Sequence, residues 1–204
     1  YDMTSSLVGS EMCIRDRHDT MLQPIFELQS VNKNYYSSDN TRFFLTAPKS
    51  AAINALSDIN LEIYRGEIFV IVGLSGSGKS TLLRTLNHLL PASSGSVIFQ
   101  GKTLSALRES ELIALRRRHI AMVFQSFALF DERSVLDNVA FGLEVAGESR
   151  DLRYRKANEM LAKVGLADVA EQYPPQLSGG MQQRVGLARA LVMDPTVLLM
   201  DEAF

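Results

Sequence analysis

The stretch Gly73-Leu74-Ser75-Gly76-Ser77-Gly78-Lys79-Ser80-Thr81 constrains this chain more than any other. It fits G-x-x-x-x-G-K-[ST], the phosphate-binding loop, and it stands in the context that motif requires. Ahead of it, Glu67-Ile68-Phe69-Val70-Ile71-Val72 is a short apolar, β-branched run that predicts a buried strand. Behind it, Thr81-Leu82-Leu83-Arg84-Thr85-Leu86-Asn87 carries apolar residues at helical spacing. The glycines let successive backbone N–H groups turn toward one anion, and the helix N-terminus adds its partial positive charge. Lys79 offers a point charge to the outer phosphates and Ser80 a hydroxyl to Mg²⁺. A glycine-rich turn that binds nothing has no use for the strand, the lysine and the hydroxyl together. The stretch reads as a nucleotide phosphate site.

Composition narrows the rest. A chain of 204 residues suffices for one well-cored domain with a subdomain inserted, and 46% apolar against 22% charged residues is a globular balance. A net charge of −2 gives no electrostatic case for nucleic acid as the main partner. No apolar run approaches the roughly 20 residues that span a bilayer. The single cysteine, Cys13, permits no internal disulfide, argues against a cysteine-based zinc site and fits a reducing, cytosolic setting.

Around the loop, periodicity predicts half-buried strands over Ile25–Val31 and Ala55–Ile63, with a polar loop or insertion from Ser37 to Ser50 between them. Two antiparallel-type strands ahead of a phosphate loop predict a small β-subdomain beside a parallel core. Further on come a short strand at Ser96–Phe99, a helix from Thr103 to Arg118 and a buried strand over Ile120–Phe124. Arg116-Arg117-Arg118 with His119 read as a solvated helix end, since cations favour the C-terminal turn. Helices are expected over Ser134–Val145, with Ser134 as N-cap, over Leu152–Val164 and over Met181–Met193. Val197-Leu198-Leu199-Met200 is a buried strand that runs into Asp201-Glu202. An apolar strand ending in two carboxylates downstream of a phosphate loop supplies the second half of an ATP site. Asp201 is assigned to Mg²⁺ through water, and Glu202 to polarising the attacking water.

With these motifs in order, the chain resembles the nucleotide-binding subunit of ATP-binding-cassette (ABC) transporters. The resemblance rests on Gly73–Thr81, Gln125, Leu177-Ser178-Gly179-Gly180-Met181-Gln182-Gln183 and Leu198–Glu202, and it covers nearly everything from Ile25 onward. The signature stretch from Leu177 discriminates, because phosphate loops are shared by many families. Met181 stands where the family commonly has Gln. The resemblance implies an α/β fold: a P-loop NTPase (RecA-like) parallel-sheet core with an antiparallel β-subdomain and an inserted helical subdomain. Residues 18–204 would be a partial ABC ATPase domain, with 25–102 and 184–204 as core and β-subdomain and 103–183 as the helical, signature-bearing part.

The resemblance also implies roles. Tyr35 would stack on adenine, with Tyr36, Phe43 or Phe44 as alternatives. Gly73, Ser75, Gly76, Ser77, Gly78, Lys79, Ser80 and Thr81 would hold the phosphates of ATP; Ser80, Gln125 and Asp201 would attend Mg²⁺; Gln125 and Glu202 would serve hydrolysis. Ser178, Gly179, Gly180 and Gln182 would close over the γ-phosphate held by a second cassette, and Gly-Gly opening a helix makes a second anion-binding end. Implied partners are a homodimer or pseudo-dimer of cassettes, transmembrane permease subunits and, indirectly, a periplasmic or surface solute-binding protein, at the cytoplasmic face of the membrane. Gly73–Lys79, Ile120–Leu129 and Asp201–Phe204 are together similar to the ATPases of glycine betaine/proline importers. Alternatives are an amino-acid or methionine importer ATPase, a non-transport ATPase of the family, or an inactive gene fragment.

Both ends carry expectations. Leu7–Arg17 resembles one reading frame of a sequencing-library transposon adapter, so residues 1–17 are expected to be non-native, with native coding from near His18 to Pro24 and no functional weight on Cys13. The family's partner-contact segment and switch histidine would follow Glu202, and neither His18, His88 nor His119 lies there. A C-terminally truncated fragment with little ATPase activity of its own and an uncovered sheet edge is therefore expected.

Overall fold

The computed structural model describes residues 23–35, 53–124 and 128–201, and the chain divides into two compact units at Arg108/Glu109. Residues 1–17, Cys13, His18 and the insertion from Ser37 to Ser50 lie outside the described residues.

In the N-terminal unit, β1 (Phe26–Tyr35) pairs antiparallel with β2 (Ile53–Ile63) on one side and β3 (Ser94–Phe99) on the other. The β3 strand carries β4 (Lys102–Thr103) at the far edge, so the order is β2-β1-β3-β4. Phe26 and Leu28 point into the core, and a bulge at Ser30 (φ 46) shifts the register so that Val31 is buried as well. Phe26 stands opposite Phe99, with ring centroids 4.9 Å apart in a tilted pair. The antiparallel subdomain expected ahead of the phosphate loop is present, and β3 belongs to it.

Two expectations fail here. Residues 67–72 form no strand: Ile68, Val70 and Val72 are 91%, 69% and 79% exposed. An apolar β-branched run is suited to a buried strand, but pairing partners make one, and β1–β4 offer none. The expected single helix over Thr103–Arg118 is also divided. Gln100 (φ 47) and Gly101 (φ 75) form a two-residue turn that folds Lys102–Thr103 back onto Phe99 and Ile98. A short 3₁₀ turn over Leu104–Ala106 buries Leu104, and the α-helix α2 begins only at Glu109, ending at Arg118. Its first turn holds Glu109 and Glu111 and its last Arg116, Arg117 and Arg118, a charge order that suits the helix dipole.

The phosphate loop leads into α1 (Lys79–Leu86), which starts two residues earlier than its apolar spacing indicates and buries Leu82, Thr85 and Leu86.

In the C-terminal unit, β5 (Ile120–Val123) and β6 (Val197–Met200) pair in parallel, and the Asp201 N–H extends the ladder to the Val123 carbonyl at 3.0 Å. Three helices make the main core: α3 (Val135–Val145), α4 (Arg150–Lys163) and α5 (Gly179–Leu191). Val135, Val139, Ala140 and Leu143 of α3 meet Ala157 and Leu161 of α4 and Val185 and Ala188 of α5. Ser149 and Ser178 cap α4 and α5, which explains why both begin ahead of the positions predicted from apolar spacing.

Candidate nucleotide site

The three core helices of the C-terminal unit open on serines whose hydroxyls accept a backbone N–H: Ser134 from Asp137, Ser149 from Leu152 and Ser178 from Met181. Helix α1 is built differently. Its N-cap is Gly78, in the left-handed region at φ 93, with no side-chain cap. The first intrahelical bond runs from the Leu82 N–H to the Gly78 carbonyl at 2.9 Å, so the turn ahead of it presents the positive end of the helix without a serine or aspartate competing for it. Such an end suits an anion.

The loop itself is curled around its lysine. Lys79 Nζ donates to the carbonyls of Gly73 and Leu74, both at 2.9 Å, which uses two of the three ammonium donors and holds the charge over the loop. Ser77 Oγ is buried without a hydrogen-bond partner. A concave loop with a positive centre, an uncapped helix end and an orphaned hydroxyl fits a phosphate chain.

Tyr35, at the end of β1, reaches this helix: its hydroxyl lies 3.5 Å from Thr81 Oγ1. Lys33 shares the strand face two residues back, and its ammonium sits 5.6 Å from the Tyr35 ring centroid while donating to the Pro91 carbonyl. The spacing of Lys33 and Tyr35 on a strand would have exposed this pairing in the sequence. The alternatives Tyr36, Phe43 and Phe44 lie outside the described residues.

In the other unit, Asp201 is buried at the end of β6, while Gln125 and Glu202 lie outside the described residues. Ser178, Gly179 and Gly180 are exposed, and a Cβ at either glycine would meet nothing within 4 Å, so this helix end is open. Gln182 is committed locally, its Nε2 donating to the Pro174 carbonyl at 2.8 Å and bracing the turn that leads into the signature. Among the described residues no group of three or more His, Cys, Asp or Glu side chains is placed to hold a metal. A Mg²⁺ ion at this site would draw oxygens from phosphates and water as well as from the protein.

A family model described as ABC transporter matches residues 56–204. The chain belongs to the ABC transporter family. It is 53% identical over 156 residues to a glycine betaine/carnitine transport ATP-binding protein of Listeria monocytogenes, a match covering 76% of this chain and 39% of that protein. A glycine betaine/proline betaine transport system ATP-binding protein of Escherichia coli is 54% identical over 149 residues, 73% of this chain and 37% of its own length. A methionine import ATP-binding protein of Vibrio cholerae is 48% identical over 179 residues, 88% of this chain and 48% of its own length. The chain thus spans less than half the length of each of these curated relatives.

Among solved structures, a dimeric ATP-binding cassette in a post-hydrolysis state bound to ADP and Pi superposes with a TM-score of 0.77 at 35% identity, over 87% of this chain and 74% of that one. The fold is therefore that of the ABC cassettes, the P-loop NTPase fold expected from the motifs. No helix among the described residues is long and apolar enough to cross a membrane.

Proposed function

We propose that this chain is the ATP-binding and hydrolysing part of an ABC importer subunit that powers uptake of a compatible solute of the glycine betaine/proline/choline type. The observation that carries the solute class is identity of 53–54% to ATP-binding proteins named for glycine betaine transport. The nucleotide reading rests on the uncapped α1 end and the curled Lys79. The subunit would work as a dimer of cassettes at the cytoplasmic face of the membrane, beside transmembrane permease subunits supplied with solute by a separate binding protein.

The residues divide the work. Tyr35 stacks on adenine; the loop from Gly73 to Thr81 and the α1 end hold the phosphates; Lys79 meets the outer ones. Ser80, Gln125 and Asp201 hold Mg²⁺, whose chemistry is to neutralise charge on the phosphate oxygens. Gln125 and Glu202 orient and polarise the attacking water. Ser178, Gly179 and Gly180 close over the γ-phosphate of a second cassette, with Gln182 holding their turn in shape. Nucleotide-driven closure and opening of the dimer then moves the helical segment against the permease.

Lys79→Ala tests the site in the purified chain. Loss of a charged donor is expected to weaken ATP binding by about tenfold or more in a calorimetric titration, with the circular dichroism spectrum unchanged; equal affinity would remove the phosphate-site reading. The solute is tested by ATP-driven uptake into vesicles carrying the full-length subunit and its permease. Glycine betaine uptake is the expected result. Methionine uptake would establish the second reading, which the longer match to the Vibrio cholerae protein favours.

A further inference from the structure

Two side chains that the phosphate site does not use hold the stretch downstream of Gln125. Asn138, fully buried on α3, accepts from the Phe130 N–H at 2.8 Å. Its Nδ2 group donates to the carbonyls of Phe130, Arg133 and Ser134 at 3.0 Å each. Arg189 works from α5: its Nη1 donates to the Ala128 carbonyl at 2.8 Å, and its guanidinium lies 5.9 Å from the centre of the Phe130 ring. Burial lowers the Arg189 pKa below its usual value, yet a guanidinium stays charged across the physiological range.

Ala128 makes this contact informative. Its φ is 46, a left-handed conformation in which the Cβ crowds the backbone and which glycine adopts freely. A non-glycine residue persists there only where its surroundings hold it. The charged donor on its carbonyl is such a hold, and it comes from the helix that begins at Gly179. From Gly179 to Arg189 that helix is about 15 Å long at 1.5 Å per residue.

We propose that Arg189 is a positioning residue. It clamps the strained turn at Ala128 to α5, so that the helix opening at Ser178-Gly179-Gly180 and the segment beginning at Ala128 move as one body. A displacement of the signature end is then delivered to the segment beginning at Ala128 directly by Arg189, beside the hold that Asn138 exerts on it from α3. The consequence for ATP turnover rests on the function proposed above; the mechanical link does not.

Hydrogen exchange on the 204-residue chain without nucleotide tests the link. Arg189→Ala is expected to speed exchange of the Phe130 and Arg133 amides by about tenfold, with amides at Val139, Val185 and Ala188 unchanged. Arg189→Lys, which keeps one charged donor, should recover part of that protection. Ala128→Gly in the Arg189→Ala background should restore it to within about twofold, because glycine holds a left-handed turn without help. Unchanged exchange at Phe130 and Arg133, an equal rise throughout α3 and α5, or no recovery with Ala128→Gly would each overturn the proposal. A wild-type chain that binds no ATP would overturn the function instead, and the exchange result would still decide the link.

Discussion

Gly76 and Gly78 both take left-handed conformations in the phosphate loop, at φ 78 and φ 93, but their surroundings differ. A Cβ on Gly76 would meet nothing within 4 Å, whereas one on Gly78 would lie 2.5 Å from the Ala55 carbonyl oxygen of β2 and 3.4 Å from Leu56 Cδ2. Alanine in the left-handed region costs about 1–2 kcal/mol, offset by about 0.4–1 kcal/mol because alanine has less freedom than glycine in the unfolded chain. Gly76→Ala should therefore destabilise by about 1 kcal/mol. Gly78→Ala carries the same cost and an overlap with a sheet carbonyl that cannot rotate away; overpacking of that kind adds about 1–3 kcal/mol, for a total near 3 kcal/mol. For a chain of this size that corresponds to a fall in Tm of about 6–12 °C, against about 2–4 °C for Gly76→Ala. Thermal melts followed by circular dichroism measure both. Equal losses for the two variants, or a Gly78→Ala loss near that of Gly76→Ala, would refute the claim that contact with β2, not backbone conformation alone, makes Gly78 irreplaceable.

Asn138→Ala takes the side-chain partner from the Phe130 N–H and the Arg133 carbonyl, while the Phe130 and Ser134 carbonyls keep their backbone donors, and it should cost about 2–3 kcal/mol in a urea melt. Tyr35→Phe should leave ATP affinity within about twofold while Tyr35→Ala weakens it by about tenfold, the scale of a lost aromatic–base stack. Fluorescence titration with a nucleotide analogue reads both, and an undiminished affinity in Tyr35→Ala would move the adenine contact to another aromatic.

Much of the candidate site was legible because it is contiguous. Gly73 to Thr81 is a loop and a helix start whose local geometry follows from neighbouring residues, and Ser134 advertises its cap by standing at the head of a helical apolar pattern. Errors gathered where local pattern and pairing disagree. Leu104, Leu107, Leu112 and Leu115 read as one helical stripe, yet the step from Leu107 to Leu112 is five residues, and the hairpin at Gln100–Gly101 had already claimed Lys102 and Thr103 for the sheet. Asn138 sits inside an apolar helical run, where nothing local announces that its amide satisfies a loop preceding it in the chain.

The sequence by itself determined the phosphate loop, the α3 helix with its Ser134 cap and the inward phase of β1, because steric limits, capping and side-chain period act over a few residues. Only the tertiary structure decided which strands found partners, that Tyr35 comes to lie against Thr81 and that Arg189 bonds the carbonyl of Ala128, 61 residues away. Those contacts depend on which surfaces are brought together when each unit packs its core, and no short-range pattern encodes that choice.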